Sequence, residues 1–156
     1  MQSALYFAFI RGREGEIQAL RALSPLAHAR MAVVVDLPTM KEGSNKSIEL
    51  HINNFASSVI RAWGTKLPIY LDMKRYASDL KDARGRPTVE HLFDCARQLK
   101  ALAIPVTGPL IERGPESLYI DAVAKIAAHD GRGAAFRIEH EDFGDPDVLK
   151  RELDVA

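Results

Sequence analysis

The chain has 156 residues, 47% of them hydrophobic, which is enough for one domain with a substantial core and excludes a disordered chain. Its 21 Lys and Arg balance 21 Asp and Glu, so no global charge draws it to nucleic acid or anionic lipid. The single cysteine excludes an intrachain disulfide and a cysteine-rich metal site.

The apolar runs 5–10, 32–37, 67–73, 104–110 and 134–139 start about thirty residues apart, the size of one strand plus one crossover helix. Residues 5–10 read as a strand covered on both faces. A break around Gly12 and Gly15 leads into a helix from about Glu14 to Leu23, with Ile17, Leu20 and Leu23 on one face. Ser24 and Pro25 read as the N-cap and first residue of a short helix. The second strand, 32–37, stops at Pro38, and 39–47 is a polar loop. Residues 48–63 have helical spacing through Ile52, Phe55, Val59 and Trp63, and Gly64 supplies a left-handed stop. The third strand is 67–72. A long basic connection, 74–87, follows it, and then a helix capped by Thr88 that runs to about Ala103. The fourth strand is 104–109, short and broken by prolines. Pro115 opens a helix with Leu118, Ala122, Ile126 and Ala127 on one face, ended by Gly131 and Gly133. The fifth strand occupies 134–139, and Asp145-Pro146-Asp147 starts a last helix.

These repeats predict one α/β domain over 1–156, with a mainly parallel five-stranded sheet that is open or half-barrel-like. A closed eight-stranded barrel needs at least ~200 residues. Two bare sheet edges then need covering, and a homodimer is the economical cover. No run reaches the ~18 apolar residues of a membrane span. The start has no basic segment of a secretory signal, so a cytoplasmic location is expected.

In parallel α/β folds ligands meet the carboxyl ends of the strands. That rule selects Arg11 with Arg13, Asp36, Asp72 with Lys74, Thr107, and Arg137 with Glu139 and His140. Arginines could clamp a phosphate or carboxylate while Asp36, Asp72 or Glu139 acts as a base. The basic segment that holds Lys74, Arg75, Lys81, Arg84 and Arg86 has five bases against two acids. With Arg11, Arg13 and Arg137 these residues form the candidate anion- or partner-binding set. The run from Glu139 to Asp142 is the densest cluster of metal-ligand types, but strand alternation scatters its side chains and no metal site is expected. His28, His51, His91 and His129 are isolated on helices, where surface roles outweigh catalytic ones. Cys95 falls on a helix stripe as a small buried residue. There is no dinucleotide or P-loop glycine motif, and no cofactor is expected.

The opening strand, then Arg11-Gly-Arg-Glu-Gly-Glu16, then a leucine-rich helix ending in Ser24-Pro25, resembles the start of the Beta protein family of phages, prophages and bacterial mobile elements. Val35-Asp-Leu-Pro38, Tyr70-Leu-Asp72, Ile104-Pro-Val-Thr-Gly108 and Phe136-Arg-Ile138 fit in the same order. The resemblance implies a barrel-like β-α repeat and a mobile-element origin. Family members are usually about twice this length, which makes the chain similar to an amino-terminal half. The family brings no catalytic residues with it.

Three functions are expected in turn. The first is a non-enzymatic phage or mobile-element protein that binds and inhibits a bacterial host-defence complex, a protein or ribonucleoprotein, in the manner of an anti-CRISPR. The second is a barrel-type enzyme acting on an anionic small molecule or nucleotide. The third is nucleic-acid binding through residues 74–86, which the neutral net charge disfavours.

Overall fold

The computed structural model describes residues 6–41, 43–76, 80–108 and 118–138, with Phe143, Asp147 and Lys150. In chain order the elements are β1 (Tyr6–Ile10), α1 (Glu14–Arg21), α2 (Pro25–Ala29), β2 (Met31–Asp36) and α3 (Ile48–Trp63). They continue with β3 (Pro68–Asp72), α4 (Thr88–Gln98), β4 (Leu102–Thr107), α5 (Leu118–Asp130) and β5 (Ala135–Phe136).

The five strands pair in sequence order, β1-β2-β3-β4-β5, and every pair is parallel. Sequential order without reversal curls the sheet as in a barrel, and the five strands make an open half-barrel. Registers such as Phe9↔Val34, Val34↔Tyr70 and Tyr70↔Ile104 assign each residue to a face. One face carries Val33, Val35, Ile69, Leu71 and Ala103, all buried beneath the helices. The other carries Phe7 and Phe9, which are 63% and 53% exposed, with half-buried Val34, Tyr70 and Ile104.

Adjacent helices α1, α3, α4 and α5 pack side by side in one layer. Helix α3 is its centre. Ile52, Phe55, Ala56, Val59, Ile60 and Trp63 repeat at three- and four-residue intervals and are all buried. Each full burial of a Val, Ile or Phe side chain contributes about 1.5–3 kcal/mol, so packing rather than propensity holds this helix. Ser47 caps its start by accepting from the Leu50 N–H at 3.2 Å, and Gly64 ends it at φ 88°. The Trp63 indole donates to the Pro68 carbonyl at 3.0 Å, and the His28 ring lies 4.2 Å from it and donates to the Trp63 carbonyl at 2.7 Å.

Helix α2 starts as its sequence predicts, with Ser24 Oγ accepting from the Ala27 N–H at 3.2 Å. Helix α4 does not follow its sequence reading. It ends at Gln98, not near Ala103, because Lys100 takes a left-handed conformation (φ 59°). The Ala101 N–H then reaches the Ala96 carbonyl (2.9 Å) and the Lys100 N–H the Arg97 carbonyl (2.9 Å), the two bonds of a Schellman stop. A lysine stands where glycine is usual, so no local signal marks the end. Thr88 is the first helical residue rather than the cap, and its hydroxyl donates to the Leu80 carbonyl at 3.2 Å.

The fourth strand has its expected length but starts and ends two residues earlier, at Leu102 and Thr107. Pro105 sits in it where pairing with β3 ends (Leu71↔Pro105) and pairing with β5 begins (Val106↔Ala135), so its missing N–H costs little. In α5, Tyr119 rather than Leu118 faces the core and donates to the Val106 carbonyl at 2.8 Å. The fifth strand pairs at Ala135 and Phe136, and the Arg137 N–H extends the ladder to the Thr107 carbonyl at 2.8 Å. The expected helix start at Pro115, and most of the last helix, lie outside the described residues.

No helix among the described residues is long and apolar enough to cross a membrane.

Candidate functional site

The chain leaves β1 through a turn that only glycine permits. Gly12 has φ 59°, and a Cβ built there would lie 2.6 Å from the Phe55 ring and 3.1 Å from the Asp36 carbonyl. The Glu16 carboxylate locks the turn by accepting from the Arg11 N–H (3.1 Å) and the Arg13 N–H (2.9 Å). The Arg11 and Arg13 N–H groups ahead of α1 are thereby occupied, and the Arg11 and Arg13 side chains stand exposed at the strand's carboxyl end.

A cavity of about 890 Å³ opens between this turn and the loop after β2. Arg11, Arg13, Lys41, Lys46 and Arg75 line it, with Glu14 as the one acid among the described lining residues. Arg75 is already paired with a buried carboxylate, and the other four cations beside one acid give the described lining residues a local positive field in a chain whose net charge is zero. Its size falls in the range of small-molecule sites, about 300–1,000 Å³.

His51 also lines this cavity. Its Nε2 is 2.7 Å from the Pro38 carbonyl, which can only accept, so Nε2 carries the proton. Nδ1 of the neutral ring is therefore an acceptor, the form suited to a general base. Pro38 also accepts from the Tyr76 hydroxyl at 2.8 Å, which fixes the loop's entry. Burial pushes the Tyr76 phenol above its ordinary value.

At the carboxyl ends of β2 and β3 lie two register-paired carboxylates, Asp36 and Asp72. Both are buried. Arg75 donates from Nε to Asp36 Oδ2 at 2.5 Å, and Arg137 pairs with Asp72. Asp72 also accepts from the Lys74 N–H at 2.8 Å. The Arg137 guanidinium lies 5.7 Å over the Phe9 ring. Asp36 Oδ1 is buried with no hydrogen-bond partner among the described residues. Burial pushes the Asp36 pKa up, and the nearby Asp72 adds to this against the opposing pull of Arg75 and Arg137.

That raised pKa has a testable sign. A carboxyl whose folded pKa exceeds its unfolded value of about 3.9 lowers stability as pH rises through the interval between them. Asp36→Asn removes this loss and leaves Arg75, whose side chain is 37% exposed, to solvent. The expected result is a variant whose melting temperature equals or exceeds the parent's at pH 7, by a margin that grows from pH 3 upward in a thermal-denaturation series. A margin that shrinks with rising pH would contradict the assignment.

The cavity gathers Arg11, Arg13 and Arg75 from the sequence-derived set, while Asp36, Asp72 and Arg137 do not line it; Asp36 reaches it only through its ion pair with Arg75, and Arg137 pairs with Asp72. Lys74 sits at the end of β3. Lys81, Arg84 and Arg86 lie away from it, in a tight turn before α4. There Asp82 accepts from the Arg84 and Arg86 N–H groups, both at 2.9 Å, and from the Arg86 guanidinium. Burial raises the Asp82 pKa, but these hydrogen bonds and the Arg86 charge outweigh it and hold the carboxyl below its usual value. Arg86 also pairs with Asp94 at 2.9 Å, so its charge serves the turn and not a free basic surface. Glu139 and the expected cluster through Asp142 fall outside the described residues. Among the described residues no group of three ligand-type side chains could hold a metal.

Lys41, Lys46 and His51 escaped the sequence reading. Their signal was positional: a polar loop following a strand, with two lysines, at the end of the sheet where ligands bind. Cys95 is buried, its thiol pKa raised by desolvation, and it lies near Asn53 and His91 on the outer helix layer, away from this mouth.

Comparison with curated proteins and with solved structures returned no match. Residues 6–156 match the sequence model described as Beta protein, and the half-barrel of β-α repeats agrees with what the opening motif implied; the chain belongs to the Beta protein family.

Proposed function

We propose that the chain binds a small anionic ligand, one bearing a phosphate or carboxylate, at the carboxyl ends of β1 to β3. The observation that carries this reading is the cavity of about 890 Å³ lined by Arg11, Arg13, Lys41 and Lys46, with Arg75 held by Asp36 at its edge. Position supports it, because parallel α/β folds place ligands at this end of the sheet. Chemistry supports it too: a buried Asp36 and a His51 held in one tautomer stand beside the cationic wall as candidate proton carriers.

The test is titration with inorganic pyrophosphate by calorimetry. Arg11 and Arg13 are exposed, so charge reversal there spares the fold. Arg11→Glu with Arg13→Glu is expected to weaken binding at least tenfold, while Lys81→Glu with Arg84→Glu leaves it within twofold at equal ionic strength. Equal losses in the two double variants would reject the site in favour of diffuse attraction.

A second reading keeps the protein non-enzymatic: a phage or mobile-element protein that binds and inhibits a host-defence complex. The exposed Phe7 and Phe9 on the open face of the sheet favour it, since paired exposed aromatics suit a protein partner. Phe7→Ser with Phe9→Ser would then abolish inhibition while leaving pyrophosphate binding intact.

A further inference from the structure

Below the cationic mouth a second cavity of about 350 Å³ runs between α1 and α3. It shares Gly12, Glu14, Pro38, Lys46 and His51 with the first, so the two cavities adjoin across these residues. Its chemistry is different. Ile17 and Phe55, both buried, supply an apolar floor, Gln18, Asn54 and Ser58 supply amide and hydroxyl groups, and Arg21 adds a guanidinium from α1. Asn54 and Ser58 are one turn apart on α3, so they lie on the same face of that helix. Neither makes a side-chain hydrogen bond among the described residues.

We propose that the anion bound at the mouth is the phosphate end of a nucleotide whose base lies in the α1–α3 cleft. This rests on the anion-binding reading and specifies it. The cleft grades from cations, through one carboxylate at the junction, to amides and the Arg21 guanidinium over an aromatic edge, and a guanidinium also matches acceptors on a base. Phosphates, ribose hydroxyls and a base need those groups in that order. Cations take the phosphate oxygens. The Glu14 carboxylate accepts from sugar hydroxyls, as acidic residues do in other nucleotide sites. A base is a flat ring with donors and acceptors on its edge, which amide side chains match and which apolar and aromatic side chains sandwich. A lipid anion would leave Asn54 and Ser58 unsatisfied against its tail, and an unadorned sugar phosphate would leave Ile17 and Phe55 uncovered. The order also gives a role to Glu14, whose charge is out of place in a site for phosphate alone.

The test compares pyrophosphate, ribose 5-phosphate, and ADP, GDP, UDP and CDP by calorimetry on the parent chain and on Asn54→Leu. Asn54 is exposed, and leucine there fills the cleft without touching the mouth. At least one of the four nucleotides is expected to bind tenfold or more tightly than ribose 5-phosphate. Asn54→Leu is expected to erase that advantage while pyrophosphate affinity stays within twofold; Ser58→Ala, a milder change, should reduce it in part. Pyrophosphate binding with no nucleotide tighter than ribose 5-phosphate overturns this inference and leaves the anion site standing. A nucleotide preference that survives Asn54→Leu overturns the placement of the base. Failure of every probe to bind removes both readings.

Discussion

Gly12→Ala is expected to destabilise the protein by about 2–5 kcal/mol and to abolish pyrophosphate binding. Two independent terms add. A left-handed backbone costs an L-residue about 1–2 kcal/mol, and Gly12 holds φ 59°. Overpacking adds about 1–3 kcal/mol: the new methyl would sit 2.6 Å from the Phe55 ring and 3.1 Å from the Asp36 carbonyl. The ring is 5% exposed and wedged in the core, and the carbonyl belongs to the β2 ladder, so neither yields freely. For a chain of this size the melting temperature should fall by roughly 10 °C. Gly15 is the control. It lies within α1 with open space around its Cα and no positive φ. Alanine there should stabilise by about 0.5–1 kcal/mol through helix propensity. Thermal denaturation of both variants decides the matter, and a Gly12→Ala protein that melts within 2 °C of the parent would show that the turn is not held as described.

The same turn shows how far the sequence reaches. A strand, a glycine break and a helix were readable because each is a local pattern. So were α3 from Ser47 to Gly64 and α2 from its Ser-Pro start, whose caps and apolar stripe are written within a few residues. The end of α4 was not readable, because Lys100 takes a conformation that its neighbours signal only once Ala101 turns back on Ala96. The site was half readable. Strand ends picked out Arg11, Arg13, Asp36 and Asp72, since topology alone puts them at the mouth. Whether a given arginine faces a ligand or a carboxylate is a non-local fact. Arg86 meets Asp82 and Asp94, and Arg75 meets Asp36 across 39 residues. His51 read as an isolated helix residue because its partner, the Pro38 carbonyl, lies on the far side of a loop.

The most distant of these pairs sets the largest electrostatic effect. Asp72 is fully buried, and Arg137, from 65 residues away, has a side chain only 11% exposed. The pair ties the ends of β3 and β5 together across β4, where the half-barrel curves around its mouth. Arg137→Met keeps the length of the side chain but takes one counter-charge away from a fully buried carboxylate. Breaking a buried pair in this way costs about 3–5 kcal/mol, whereas a solvated pair costs a fraction of that. The Asp36–Arg75 pair, with its arginine more than a third exposed, is the internal contrast, and Arg75→Met should cost well under half as much. The double variant Asp72→Asn with Arg137→Met removes the buried carboxylate charge as well and should recover most of the loss, so that the two sites couple by about 2 kcal/mol or more in a denaturant double-mutant cycle. Additive losses would mean that the two side chains stabilise the mouth separately. The curvature would then rest on the β4–β5 ladder alone, with no ionic link across β4.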